Sequence, residues 1–326
     1  MPKHKFIPAE LEKHLSNSGF SAIALIGCRS TERSFPCCEY DILVDAAEKA
    51  IRHDVMGAKY IDLIPVPLKS TAEQMFDLLP MKIILDPNMI LSGLQRDGEK
   101  EDVIKDYALS RIMDAISGLK KAEECYQDKN HIDAPFWIHS AALELSASAI
   151  ALSRGAVHPT HLLDDIRDSS SALGIPYETI SDAMNLQRAS RTSVERRLAG
   201  INEIMLSSLK IQEGTPESVY IYSKQLSEKV SWLLKNHAIV QAYAFLGYES
   251  VRMLRHVYVR FCQDTDIPPH HNRIIFEILD RGEVPYRLSH ESFKMLAIEN
   301  EEGIISTLRG LAALGEVIRK KATSGI

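Results

Sequence analysis

Up to about Pro87 the apolar residues come in short runs: Ala22-Ile23-Ala24-Leu25-Ile26, Tyr40-Asp41-Ile42-Leu43-Val44, Tyr60-Ile61-Asp62-Leu63-Ile64 and Met81-Lys82-Ile83-Ile84-Leu85. Runs this short, bounded by Gly, Pro or Asp, suit buried strands better than helices. Between them Ala46 to His53 and Thr71 to Leu79 read as helices, the second opened by Ser70 or Thr71 as N-cap with Glu73 in its first turn. A mixed α/β unit is the expectation. The nearly all-charged stretch Gln95 to Asp102, interrupted by Gly98, marks its end, which divides the chain into residues 1–98 and 99–326.

Beyond that point the period becomes helical. Ala108, Ile112, Ala115 and Leu119 share a face, as do Leu143, Ala147 and Ile150, then Tyr222, Leu226, Val230 and Leu233, then Val251, Leu254, Tyr258 and Phe261. Gly and Pro stop these stripes at Gly155/Pro159, Gly174/Pro176, Gly214/Pro216, Pro268/Pro269 and Gly282/Pro285. The predicted class is α+β: an N-terminal mixed sheet with flanking helices, then a larger all-helical region. A break near 212–217 would split that region into two sub-bundles.

The 326 residues are 45% hydrophobic and 25% charged, which fits a cored globular protein. A formal charge of −6 gives no overall basic field for nonspecific nucleic-acid binding. No apolar run approaches the roughly 18 residues of a membrane span, and Met1 to Glu10 holds no apolar signal core. A soluble cytoplasmic protein with no membrane partner is expected. Five sparse cysteines, Cys28, Cys37, Cys38, Cys125 and Cys262, read as reduced thiols. Cys28, Cys37 and Cys38 lack Cys-x-x-Cys spacing, which disfavours zinc.

One segment concentrates chemistry. In Glu39-Tyr40-Asp41-Ile42 the two acids sit at i and i+2 of a strand, so both project from one face. Two acids side by side in an apolar strand are costly unless a cation or donors compensate, and a divalent metal is the simplest compensation. Asp62, alone between Ile61 and Leu63, would add a third carboxylate from a neighbouring strand. That donor set suits a hard cation such as Mg²⁺. Gly27, just after the first run, would let the backbone approach a phosphate. The bland alternatives are a solvent-facing strand edge for Glu39 and Asp41, and an exposed strand-end acid for Asp62. Asp86 before Pro87 reads as a turn former.

The run from Ala22 to Val44 resembles the signature of the nucleotidyltransferase superfamily with a DNA polymerase beta-like catalytic fold. That signature has a hydrophobic strand (Ala22 to Ile26), Gly followed by Gly or Ser (Gly27, Cys28), a spacer of about ten residues (Arg29 to Cys38) and an acid-hydrophobic-acid-hydrophobic set (Glu39 to Ile42). Asp62 fits the third acid, and Ile83-Ile84-Leu85-Asp86-Pro87 looks like the closing strand and turn; the likeness covers roughly residues 20 to 95. It implies a nucleotidyltransferase-like N-terminal domain in which Glu39, Asp41 and Asp62 are catalytic and hold two Mg²⁺ or Mn²⁺ ions. Gly27, Cys28, Arg29 and Ser30 would bind a nucleoside triphosphate such as ATP. A nucleoside monophosphate would pass to an acceptor hydroxyl, on a small molecule, a protein or an RNA end, with release of pyrophosphate; homo-oligomerisation is left open. Cys28 stands where Ser is usual and Glu39 where Asp is common. These departures motivate an alternative: a catalytically silent nucleotide-binding or partner-binding protein on the same fold.

Phe136-Trp137-Ile138-His139, the Ala-rich run to Ser153, Gly155, and His158-Pro159-Thr160-His161 resemble the helical domain of kanamycin nucleotidyltransferase C-terminal and HEPN-type bundles. Arg154 and His161 match the loose spacing of the HEPN ribonuclease pair, which implies a second alternative, an RNA nuclease. Arg188, Arg191, Arg196 and Arg197 form a basic cluster, read as a solvated helix face with a phosphate or RNA contact as the rival. His270 and His271 read as surface residues.

Overall fold

The computed structural model describes residues 7–31, 33–46, 51–66, 76, 78–129, 133–207, 216–264 and 301–324. In chain order these form α1 (Ala9–Ser16), β1 (Ile23–Ile26), β2 (Tyr40–Val44), β3 (Arg52–Met56), β4 (Lys59–Pro65), β5 (Lys82–Leu85), α2 (Ile90–Gly98), α3 (Glu101–Gln127), α4 (Asp133–Leu152), α5 (Leu162–Leu173), α6 (Tyr177–Ala183), α7 (Arg191–Ser207), α8 (Pro216–Lys235), α9 (Ile239–Asp264) and α10 (Glu301–Ser324). The architecture is α+β, a mixed sheet followed by helices. The Pro268/Pro269 and Gly282/Pro285 stops, His270 and His271 lie outside the described residues, as does most of Thr71 to Leu79. No described helix is long and apolar enough to cross a membrane.

Two compact units emerge: Met1–Tyr107 with Glu213–Lys229, and Ala108–Gln212 with Val230–Ile326. In the first, the strands order as β3-β4-β2-β1-β5. β1 is antiparallel to β2 and β5, β3 to β4, while β2 and β4 run parallel. Period-2 alternation sorts side chains onto two faces. Tyr40, Ile42 and Val44 of β2, with Ile61 and Leu63 of β4, pack on Leu11 and Leu15 of α1. Leu43 shares the opposite face with Ala24, Ile26, Met81 and Leu91 of α2. Asp41 has the parity of Leu43, so it falls on that second face. Asp45 pins the start of β1: its carboxylate accepts the Ser21 and Ala22 N–H groups at 2.9 and 3.0 Å.

One expectation is corrected. The helix read over Ala46 to His53 ends in strand: Arg52 and His53 begin β3, which turns through Gly57 and Ala58 onto β4 with Met56 opposite Lys59. As an edge strand with its burial only partial, β3 carries a polar run, Arg52-His53-Asp54, that hides its period.

The second unit is helical. α4 is buried almost along its whole length, so its apolar residues wrap all sides and no single stripe marks its face. Its Glu144 accepts from Arg111 at 3.0 Å and from Arg255 at 2.5 Å. Arg197 is corrected as well: it leaves the surface cluster that Arg188, Arg191 and Arg196 keep, and is 1% exposed. Its Nη1 donates to the Tyr243 carbonyl at 2.9 Å and its guanidinium stacks on the Tyr243 ring at 3.4 Å. A Cβ on Gly247 would lie 2.7 Å from His139 Nε2 and 2.9 Å from Arg197 Nη1, so this close packing needs a glycine there.

Candidate functional site

The sheet register builds the acidic cluster. β2 and β4 are parallel with Asp41 opposite Asp62, and β3 adds His53 opposite Asp62 on the other side. Glu39, two residues before Asp41, shares its face. One carboxylate oxygen from each of Glu39, Asp41 and Asp62 lies within 4.8 Å of the others. The structure thus brings together all three acids singled out in the sequence.

Gly27 begins a short 3₁₀ turn, Gly27–Ser30, directly after β1, where Ile26 is paired with Asp41. Its φ of +67° is left-handed, and a Cβ built there would run into Asp41 Oδ2. Both facts demand glycine, and they place bare backbone beside a carboxylate. Arg29 is engaged within the chain. Its Nε donates to the carbonyls of Cys38 and Glu39 at 2.8 and 2.9 Å, its Nη2 to Pro36 at 3.2 Å, and its plane stacks on Tyr40 at 4.2 Å. Arg29 therefore ties down the segment that delivers Glu39. Ser30 is buried and its Oγ meets the carbonyls of Gly27 and Pro80 at 2.7 and 2.6 Å. Cys28 is buried against Cys38; the Cys38 side-chain contact first, then burial, push its thiol well above the ordinary range. Cys37 is raised by the same neighbour. Neither is a reactive thiolate.

Helix α8 supplies groups that the sequence reading missed. Lys229, 4% exposed, sets its Nζ 2.6 Å from Glu39 Oε2, a close ion pair although that oxygen has no aligned hydrogen bond. Tyr222, seven residues and so two turns earlier, stacks on His53 at 4.8 Å, and Glu228 bonds the Tyr60 hydroxyl of β4. Burial and then Glu228 push Tyr60 up to about 12. His53 Nδ1 lies 2.8 Å from Asp62 Oδ1. Lys229 had a signal: it is a cation set into the apolar stripe of Leu226, Val230 and Leu233. His53 had none once its segment was read as helix.

Charge explains the titration of the site. Burial, then the charges of Glu39 and Asp62, raise the Asp41 carboxyl well above its usual range, and Lys229 opposes them. Burial would lower Lys229, but the charge of Glu39 outweighs it and the ammonium is held protonated. A cation bonded at roughly 2–2.5 Å to two oxygens spans up to about 5 Å between them, so the acid triad fits one.

Other residues singled out in the sequence have settings of their own. Asp86 is a turn residue whose Oδ2 accepts the Ser92 N–H and Oγ–H, both at 2.8 Å, ahead of α2. Arg154 is exposed in a left-handed conformation after α4 while His161 is 2% exposed, so the two do not share an open surface.

No family model matches the chain, and no curated protein matches it. Among solved structures it is similar to a nucleotidyltransferase-like protein from Exiguobacterium sibiricum 255-15, with 10% identity over 79% of this chain and 78% of that one. The TM-score is 0.30.

Proposed function

We propose that the N-terminal unit is a divalent-metal-dependent nucleotidyltransferase that moves a nucleoside monophosphate from a nucleoside triphosphate to an acceptor hydroxyl. The observation that carries this reading is the convergence of Glu39, Asp41 and Asp62 on one sheet face beside the Gly27 turn. The Gly27-to-Asp41 motif, with its superfamily resemblance, supports it. Glu39, Asp41 and Asp62 would hold Mg²⁺ or Mn²⁺, which when bound supplies positive charge against the triphosphate and the developing oxyanion.

The chain's own residues do the remaining work. Gly27, bare of a side chain, lets phosphate oxygens approach the backbone. Arg29 fixes the Pro36 to Glu39 segment, and His53 orients Asp62. The acceptor oxygen bonds to the α-phosphorus as the bond between the α-phosphorus and the α–β bridging oxygen breaks. Pyrophosphate leaves with the electron pair, and the acceptor proton passes to Asp62 as base.

The test incubates the chain with Mg²⁺, each α-labelled triphosphate and cell extract as acceptor. The expected result is label transfer with pyrophosphate release, lowered at least a hundredfold in Asp41→Asn. Release unchanged in that variant overturns the assignment. Lys229 on Glu39 favours a second reading, nucleotide binding without turnover; saturable triphosphate binding with no pyrophosphate release would select it.

A further inference from the structure

Within the acidic cluster the chain already carries a cation. We infer that Lys229 is a resident counter-charge which takes the place of one metal ion, so that the site accepts one divalent cation rather than two. This rests on the metal-dependent reading above. Ionised, as metal ligation requires, three carboxylates beside one ammonium leave two negative charges, the charge of a single divalent ion. Their distribution is uneven. Lys229 sits at the Glu39 end at 2.6 Å, and Asp41 and Asp62 pair across β2 and β4 at the other.

The helix holds the ammonium there by more than its own ion pair. Tyr222 stacks on His53 and Glu228 bonds Tyr60, so α8 is docked on both strands of the β3–β4 hairpin within two turns of Lys229. A cation on a buried four-carbon stem, carried by a docked helix, adds positive charge without the coordination shell of an ion.

The experiment counts ions instead of turnover. Mn²⁺ is titrated into the full-length protein and followed by electron paramagnetic resonance, with and without α,β-methylene ATP, for wild type and Lys229→Met, with circular dichroism to confirm folding. One ion per wild-type chain in both conditions, and two in folded Lys229→Met, is the expected result. Two ions in wild type with the analogue, or a Lys229→Met chain that still takes one, overturns the Lys229 inference and leaves the metal-dependent reading standing. No bound ion in wild type overturns both. Should Lys229→Met not fold, the wild-type count with the analogue decides alone: one supports the inference and two defeats it.

Discussion

Asp41 and Asp62 face each other in register across the parallel β2–β4 pair, two like charges on adjacent strands of one sheet face. Such pairs destabilise a sheet by up to about 1 kcal/mol. A residue pair that costs stability where Thr or Val would help points to a ligand that repays it.

The first prediction follows from that cost. Asp41→Asn should melt higher than wild type in EDTA, by the equivalent of roughly 0.5–1 kcal/mol, yet lack the rise in Tm expected of the wild type in Mg²⁺. At a hundredfold excess over Kd that rise corresponds to about 2.7 kcal/mol. Differential scanning fluorimetry with and without Mg²⁺ reads both; a wild-type Tm indifferent to metal would remove the premise.

The same acid predicts a pH slope. Its folded pKa lies above the unfolded value, so the folded state binds the extra proton and stability falls as pH rises from about 4 through the raised pKa. Urea unfolding of the metal-free protein should show this decline in wild type relative to Asp41→Asn. Parallel curves for the two proteins would refute it.

Gly27→Ala should be damaging twice over. The left-handed backbone costs a non-glycine residue about 1–2 kcal/mol, and the new methyl meets Asp41 Oδ2. Lower Tm together with at least tenfold weaker Mn²⁺ binding is expected; a variant with wild-type metal affinity would show that the turn does not shape the site.

Arg29→Ala removes the donors that hold the carbonyls of Pro36, Cys38 and Glu39. Because Arg29 acts through Glu39, metal affinity should fall while Arg29→Lys, which restores charge but not the planar fork, recovers little of it. Full rescue by lysine would mean that charge alone matters.

His139 sets an acid limit for the helical unit. Burial first, and the Arg197 charge second, lower it to about 3, so it folds neutral. Its folded pKa lies below the unfolded value near 6.5, so stability is lost as pH falls through that window, about 2 kcal/mol between pH 7 and pH 5. His139→Gln should flatten that part of the curve in urea titrations; an unchanged slope would exclude His139 as its source.

Legibility followed burial. β1, β2, β4 and β5 were readable because each is an apolar run with defined ends, and the i, i+2 spacing placed Glu39 and Asp41 on one face before any register was known. β3 was hidden because an edge strand with one open side keeps polar residues such as Arg52 and Asp54. Arg197 looked like surface because its neighbours are basic; only the carbonyl and ring of Tyr243, far along the chain, make its burial tolerable. Lys229 stood out locally as a cation in the apolar stripe of α8, but its partner Glu39, just before β2, is far away in the chain and no local pattern encodes that contact.

The sheet unit closes only when Glu213–Lys229 returns to it, after Ala108–Gln212 has been spelled out elsewhere. A polypeptide emerging from the ribosome therefore holds Glu39 without its counter-ion until the helical portion has been synthesised. Excising the first hundred residues would leave the three acids without Lys229, so the charge balance of the cluster belongs to the uninterrupted polypeptide.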